Sequence, residues 1–257
     1  MRHAAARPKG ALVTGAGDRL GRALAISLAQ CGFAVAVHYR NSAAGARETA
    51  RLIQANGGTA EIIQADLADW NVTQAAVRTA ENMVGTLGVL INNASLFEDD
   101  SIETLTEETW RAHMAANLDG PIALSQAFAA QLPTDATGDI INLVDQRVLR
   151  PNPRFFSYTL SKAALFAATT TLAQALAPRI RVNAIGPGPT MRNVRQSEED
   201  FAKQSEATIL GHGAQPDDIV RAAAYLLESE AVTGQMIAVD GGQHLAWRTP
   251  DVEGINE

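Results

Sequence analysis

Tyr158 and Lys162 stand four residues apart, so any helix that carries them presents both on one face. A free phenol has a pKa of about 10, too high for ready proton exchange at neutral pH. A lysine ammonium beside it stabilises the phenolate and is expected to lower that pKa, which makes the pair a proton donor. Asp145 lies thirteen positions before Tyr158 and adds a carboxylate to the same stretch. A tyrosine and lysine at this spacing occur on many helix surfaces, so their weight depends on the elements around them.

Those elements alternate along the chain. Strand-like runs fall at Ala11–Thr14, Phe33–Tyr39, Ala60–Gln64, Val89–Asn92, Asp139–Val144, Arg181–Ile185 and Met236–Val239. Apolar residues at helical spacing fill 20–31, 43–55, 70–86, 107–131, 157–177 and 216–228 between them. Asn56-Gly57-Gly58 closes the second helix, because glycine reaches the positive φ of a helix stop. Strands separated by crossover helices predict a parallel sheet. The reading is a single α/β domain over residues 1–257, doubly wound, with seven parallel strands flanked by helices. Residues 186–213 break the rhythm, Gly- and Pro-rich and then polar, and are read as a substrate lid with a short helix near 198–208. Residues 1–8 and 249–257 are expected to be flexible.

Composition excludes several functions. The 257 residues are 46% hydrophobic and 19% charged, enough apolar material for a large core. The 21 basic and 28 acidic side chains give a net charge of −7, with no basic stripe for a phosphate backbone, so nucleic acid is not an expected partner. No run approaches the roughly 18 apolar residues of a membrane span. The basic start leads into an apolar run too short for a signal segment, so a cytoplasmic location is expected. Cys31, the only cysteine, sits among Leu28, Ala29, Gly32 and Phe33 and reads as a packed helix end. No metal site is expected.

Thr14-Gly15-Ala16-Gly17-Asp18-Arg19-Leu20-Gly21 joins the first strand to the first helix. Glycines there let backbone approach a pyrophosphate, and the helix N-terminus offers unpaired N–H groups, the arrangement of a Rossmann-type dinucleotide site. The end of the second strand chooses between the nicotinamide cofactors. An acid there would bind a ribose 2′-OH and repel a 2′-phosphate. This chain has His38-Tyr39-Arg40-Asn41-Ser42, and Arg40 with Ser42 suits a phosphate, so NADPH/NADP+ is the expected cofactor.

The Gly15 and Gly21 spacing resembles the glycine loop of the short-chain dehydrogenases/reductases, and other marks fall in the same order over about residues 9–245. They are Asn92-Asn93-Ala94 after the fourth strand, Asn117 in the next helix, Tyr158 with Lys162, Pro187-Gly188, and Asp240-Gly241-Gly242. The resemblance implies a catalytic set of Asn117, Tyr158 and Lys162, with Asn117 holding a water linked to Lys162 or else capping a neighbour. It implies a cofactor site from Gly15, Arg19, Leu20, Gly21, His38, Tyr39, Arg40, Ser42, Asp66, Leu67, Asn93, Ala94, Ser95, Lys162, Pro187 and Gly188. Asp66-Leu67 would touch the adenine. Members of this family pair through the helices near 107–131 and 157–177 and through the last helix and strand, so a homotetramer is implied. The small residues Ala163, Ala164, Ala167 and Ala168 would face a neighbour or the chain's own sheet. His244, Trp247 and Arg248 in the tail would reach towards a neighbouring subunit.

Three positions depart from the usual pattern. Arg19 replaces a small residue of the glycine loop, where it would lie near the cofactor phosphates or on an exposed turn. Ser95-Leu96-Phe97 follows the fourth strand. Asp145 stands where most members carry a serine that holds a substrate carbonyl oxygen. A carboxylate would oppose a developing oxyanion, but it suits a ring C=N, whose nitrogen takes a proton. Together with His38-Tyr39-Arg40, these positions resemble the pteridine reductases. That resemblance implies a substrate site of Arg19, Ser95, Phe97, Asp145 and Tyr158, with Phe97 stacking a flat pterin against the nicotinamide. Phe97 as a core aromatic and Ser95 as a loop cap remain the plainer readings. Arg147, Arg150 and Arg154 would pair with Asp145 or bind the acidic tail of a folate. The expected function is NADPH-dependent reduction of a pterin or dihydrofolate. A ketone or 3-oxoacyl reductase, and a non-catalytic NADPH-binding protein, are the alternatives.

Overall fold

The computed structural model describes residues 6–193, 195–250 and 252–254. Seven strands form the sheet: β1 (Gly10–Val13), β2 (Ala34–Tyr39), β3 (Ala60–Gln64), β4 (Leu87–Asn92), β5 (Gly138–Leu143), β6 (Ile180–Pro187) and β7 (Met236–Val239). Their order is β3-β2-β1-β4-β5-β6-β7, and every pairing is parallel. The helices are α1 (Arg19–Gln30), α2 (Ala43–Ala55), α3 (Trp70–Val84), α4 (Glu107–Met114), α5 (Gly120–Gln131), α6 (Phe156–Leu176), α7 (Glu198–Glu206) and α8 (Pro216–Glu228).

Both faces of the sheet are covered, so β1, β4 and β5 are buried throughout; β1 and most of β4 read as apolar runs, whereas β5 also buries Asp139, paired with Arg181, and Asn142, which donates to Thr169. Val13, Ile91 and Ile185 pack into one layer with Leu24 and Leu28 of α1 and Ile219 of α8. Leu12, Leu90 and Ile140, one position away in period 2, pack into the other with Leu124 and Phe128 of α5. The chain runs outward from β1 to β3 and then returns to β4 on the other side of β1. That reversal opens a crevice at the carboxyl ends of β1 and β4, where ligands bind in doubly wound sheets.

Local chemistry explains the departures from the expected boundaries. α3 stops at Val84 because Gly85 turns to φ +82°. The single helix expected over 107–131 is interrupted by a π turn at Ala115–Asp119, immediately before Gly120-Pro121. Proline lacks the N–H that a regular helix would bring to the Asn117 carbonyl. A Cβ on Gly120 would stand 2.7 Å from the Leu67 carbonyl oxygen, so this helix is pressed against the loop that follows β3.

The end at residues 7–8 is anchored, contrary to the expected flexibility. The Arg7 guanidinium pairs with Asp139 and donates to the Leu227 carbonyl at 2.9 Å. Residues 1–5, 251 and 255–257 lie outside the described residues. Cys31 is exposed at the end of α1, which corrects its reading as a packed position. Among the described residues no helix is long and apolar enough to cross a membrane, and no cluster has the makings of a metal site.

Candidate active site

The glycine loop is built to sit close to something. Gly15 takes φ +62°, and a Cβ on Gly21 would stand 2.2 Å from the Gly15 carbonyl oxygen and 2.6 Å from Asn93 Nδ2. The Asn93 amide donates to the Thr14 carbonyl at 2.8 Å, while the Thr14 hydroxyl accepts from the backbone of Asn93 and Ala94, both at 2.9 Å. The loops after β1 and β4 are thereby fixed to each other. Between them lies a cleft of about 380 Å³, lined by Gly15, Arg19, Leu20, Gly21, His38, Arg40, Asp66, Leu67, Asn93, Ala94 and Ser95. No side chain at 15 or 21 obstructs it, and Arg40 is exposed at its edge. The donor set and the space fit an adenine dinucleotide phosphate.

Several expected cofactor residues take other positions. Tyr39 packs on the core, and Ser42 is exposed at the N-cap position of α2; neither lines the cleft. Pro187 and Gly188 line the neighbouring cleft instead. His38 is buried. Its Nδ1 accepts the Gly15 N–H at 3.1 Å, which leaves the Nε2 proton for the Ala65 carbonyl at 3.1 Å. His38 lines the cleft as expected, and burial lowers its pKa from 6.5 to about 4, so the ring is neutral and holds the glycine loop.

Arg19, at φ +52°, is exposed as one reading expected, but its side chain is held. Its guanidinium donates to the carbonyls of Arg192 (2.8 Å) and Met191 (2.9 Å), tying the glycine loop to the segment that leads into α7. Arg19 and Leu20 line both clefts.

The second cleft, of about 980 Å³, holds the reactive groups. Tyr158 lies in the first turn of α6, and its hydroxyl donates to Asp145 Oδ2 at 3.0 Å. Asp145 ends β5's exit loop, where Oδ1 accepts from the Arg147 N–H at 2.8 Å. The Arg147 guanidinium remains 3.9 Å away. Lys162, one turn after Tyr158, is buried; its ammonium donates to the Leu143 carbonyl at 2.7 Å and lies 5.9 Å from the centre of the Tyr158 ring.

These groups perturb one another in a direction the sequence did not predict. Burial, and then the Asp145 charge, hold the Tyr158 phenol well above its ordinary pKa, whereas a lowered value was expected from Lys162. Burial likewise raises Asp145 and lowers Lys162 to about 8. The chain's own residues therefore keep Tyr158 protonated.

Of the two roles expected for Asn117, its side chain takes that of a cap. Its Oδ1 accepts from the Leu96 N–H (2.7 Å) and the Ser95 hydroxyl (3.2 Å), and its Nδ2 donates to the Leu96 carbonyl (2.9 Å) and the Ser161 hydroxyl (3.0 Å). With all four positions taken, the side chain caps the 95–96 loop and has no capacity left for a water. Phe97 lies beside Tyr158 with ring centres 4.6 Å apart, and stacks on Phe155 at 4.4 Å. It lines the cleft and is not a core aromatic. Sequence reasoning missed Phe155 and Arg195. Arg195 donates to the Phe97 carbonyl at 2.5 Å and pairs with Glu98 at 3.0 Å. Nothing in the local pattern marked either residue, because tertiary packing brings them to Phe97.

A family model described as enoyl-(acyl carrier protein) reductase matches residues 15–244. A 3-oxoacyl-[acyl-carrier-protein] reductase of Staphylococcus aureus is 34% identical, covering 92% of this chain and 98% of its own. The chain belongs to the short-chain dehydrogenase/reductase family. An uncharacterised oxidoreductase of Methylorubrum extorquens is 38% identical across 91% of this chain and 97% of its own. Among solved structures, FolM alternative dihydrofolate reductase 1 from Brucella suis, in complex with NADP, superposes with a TM-score of 0.92 at 46% identity, over 95% of this chain and 98% of that one. A blue fluorescent protein from a metagenomic library, in complex with NADPH, superposes with a TM-score of 0.84 at 32% identity, over 91% and 97%. This short-chain dehydrogenase/reductase is thus an NADP-dependent oxidoreductase.

Proposed function

We propose that this reductase acts on the ring C=N of a dihydropterin or dihydrofolate. The observation that carries the reading is the Tyr158 hydroxyl donating to Asp145 where a carbonyl reductase would present a serine hydroxyl. A carboxylate there opposes an oxyanion but accepts N–H donors of a pterin. Phe97, edge-on to Tyr158, supplies a flat wall for a flat ring.

NADPH, when bound, supplies a hydride to the ring carbon. Tyr158 gives its proton to the adjacent nitrogen, so the C=N becomes CH–NH, and the phenolate is reprotonated from solvent, with the Asp145 carboxylate relaying that proton. The Lys162 ammonium steadies the transient negative charge on Tyr158. Asn117 contributes through its main-chain carbonyl, which Pro121 cannot occupy, and its side chain positions the 95–96 loop. Arg40 holds the 2′-phosphate, and Asp66-Leu67 receive the adenine. A homotetramer in the cytoplasm, paired through α4, α5 and α6, completes this reading; the tail at His244, Trp247 and Arg248 belongs to the same assembly.

The identity to 3-oxoacyl reductases favours carbonyl reduction as the second reading. NADPH consumption decides between them. The pterin reading requires turnover with dihydrobiopterin or dihydrofolate well above that with simple ketones or acetoacetyl thioesters. No oxidation of NADPH with either pterin rejects it.

A further inference from the structure

The helix that carries Tyr158 and Lys162 begins without a cap of its own. Phe155, at its N-cap position, adopts φ +53° and ψ +55°, a left-handed conformation strained for a bulky residue, and its side chain offers no acceptor to the first turn. A helix N-terminus leaves four N–H groups without intrahelical partners, and at a buried end these need acceptors from elsewhere. Asp100 meets two of them. Its carbonyl accepts the Phe156 N–H at 3.2 Å, and its carboxylate accepts the Ser157 N–H, 3.0 Å from Oδ1 and 3.4 Å from Oδ2.

Asp100 is buried, and among the described residues it forms no ion pair. A carboxylate taken out of water without a cation is costly; the helix N–H groups and the positive end of the helix are what offset it. A serine or aspartate at position 155 would cap α6 locally without that burial. The remote cap differs in what it connects. Asp100 follows Phe97 by three residues in the loop from β4. Asn117 holds that loop at Leu96, and the buried His113 holds it at Glu98, whose N–H donates to Nε2 at 3.2 Å. Ser157, which Asp100 fixes, is the residue before Tyr158. The Phe97 loop and the start of α6 are thus joined through one side chain, with the Phe97 and Tyr158 ring centres 4.6 Å apart.

We propose that Asp100 is a positioning residue for proton transfer: by capping α6 from the Phe97 loop, it sets the Tyr158 hydroxyl against Asp145 and Phe97. It lines neither cleft, so its effect reaches the reaction only through Tyr158. A carbonyl substrate needs the same placement as a pterin, because both take their proton from Tyr158.

The chain has three tyrosines, Tyr39, Tyr158 and Tyr225, so full-length protein labelled with carbon-13 at tyrosine Cζ gives three NMR signals, and Tyr158→Phe assigns the one that matters. Asp100→Ala is expected to move the Tyr158 signal towards that of the exposed Tyr225, as the hydroxyl leaves Asp145, while the Tyr39 and Tyr225 signals stay in place. In NADPH consumption with dihydrobiopterin, dihydrofolate or an acetoacetyl thioester, the same variant is expected to lower kcat about tenfold and leave KM for NADPH nearly unchanged. Asp100→Asn keeps an oxygen for the Ser157 N–H and should retain the wild-type signal and near wild-type kcat. Where Asp100→Ala fails to fold, Asp100→Ser, a bond shorter and with one acceptor oxygen fewer, takes its place with the same expectation. An unmoved Tyr158 signal overturns the proposal. So do three signals that move together, which would mark a general loosening, and an Asp100→Asn that behaves as Asp100→Ala. The signals are read without substrate, so failure of the pterin reading leaves this test intact.

Discussion

Tyr158 donates its hydroxyl to Asp145 across 3.0 Å, and the same carboxylate receives the Arg147 N–H on its other oxygen. The consequence is a phenol held in its protonated form by its own burial and then by the Asp145 charge. In a reduction that ends with a proton on nitrogen, this is the form required at the start of each cycle. A serine in place of Asp145 would donate to the substrate and remove the charge that adds to the effect of burial on the phenol.

Replacing Asp145 therefore separates the two substrate classes. Asp145→Ser is expected to reduce kcat for dihydropterins by about 100-fold, within the range of a lost proton-transfer partner. Carbonyl reduction should rise or stay level, because the substituted hydroxyl can hold a carbonyl oxygen. Parallel assays on a dihydropterin and an acetoacetyl thioester check both halves. Equal losses on both substrates would remove Asp145 from the specificity argument.

The pH profile carries a second prediction. Burial lowers Lys162 to about 8, and the Asp145 charge acts in the opposite direction to keep it protonated. Reduction should fall as pH rises through about 8, since the ammonium is lost. In Asp145→Ser that support disappears for Lys162, and the charge that raises Tyr158 disappears as well. Both changes move the alkaline limb of the residual activity to lower pH. A limb that moves up, or does not move, contradicts the coupling.

The fold was legible because period-2 and helical patterns alternate without a break, and β3, α2, α8 and β7 fall at the expected residues. The resemblance to the pteridine reductases implied that Asp145, Tyr158 and Phe97 share one site, and all three line the same cleft. What it did not show depends on burial and on distant contacts. The phenol's upward shift comes mainly from desolvation, which no spacing reveals. The ties of Arg19 to Met191 and Arg192 join residues more than 170 positions apart, so its reach to that segment was invisible. The π turn at Ala115–Asp119 was hidden because its apolar pattern matches an unbroken helix.

Gly21→Ala tests the glycine loop. The added Cβ would meet the Gly15 carbonyl oxygen at 2.2 Å, and that atom is backbone, which cannot swing aside. The loop must open, so NADPH affinity is expected to fall at least tenfold, with a loss of about 2 kcal/mol in stability from overpacking. Fluorescence titration of NADPH with urea unfolding measures both.

Arg40 tests the cofactor preference. It is exposed at the rim of the dinucleotide cleft. Arg40→Ala is expected to raise the KM for NADPH about tenfold through the lost phosphate contact and to leave that for NADH nearly unchanged. Equal effects on both cofactors would mean that Arg40 does not read the 2′-phosphate.

His38 makes a stability prediction with a definite sign. Its folded pKa of about 4 lies below the ordinary 6.5, because burial disfavours the imidazolium. Above pH 6.5 both states are neutral and the contribution is complete. As pH falls from 6.5 towards 4 the unfolded chain takes a proton that the folded chain refuses, so about 3 kcal/mol of stability is lost over that window. His38→Asn retains an acceptor for the Gly15 N–H but cannot titrate. Urea unfolding between pH 4 and 7 should show a shallower fall in the variant, together with weaker loss of NADPH binding at the acid end. An identical slope in both proteins would place the acid sensitivity in other residues.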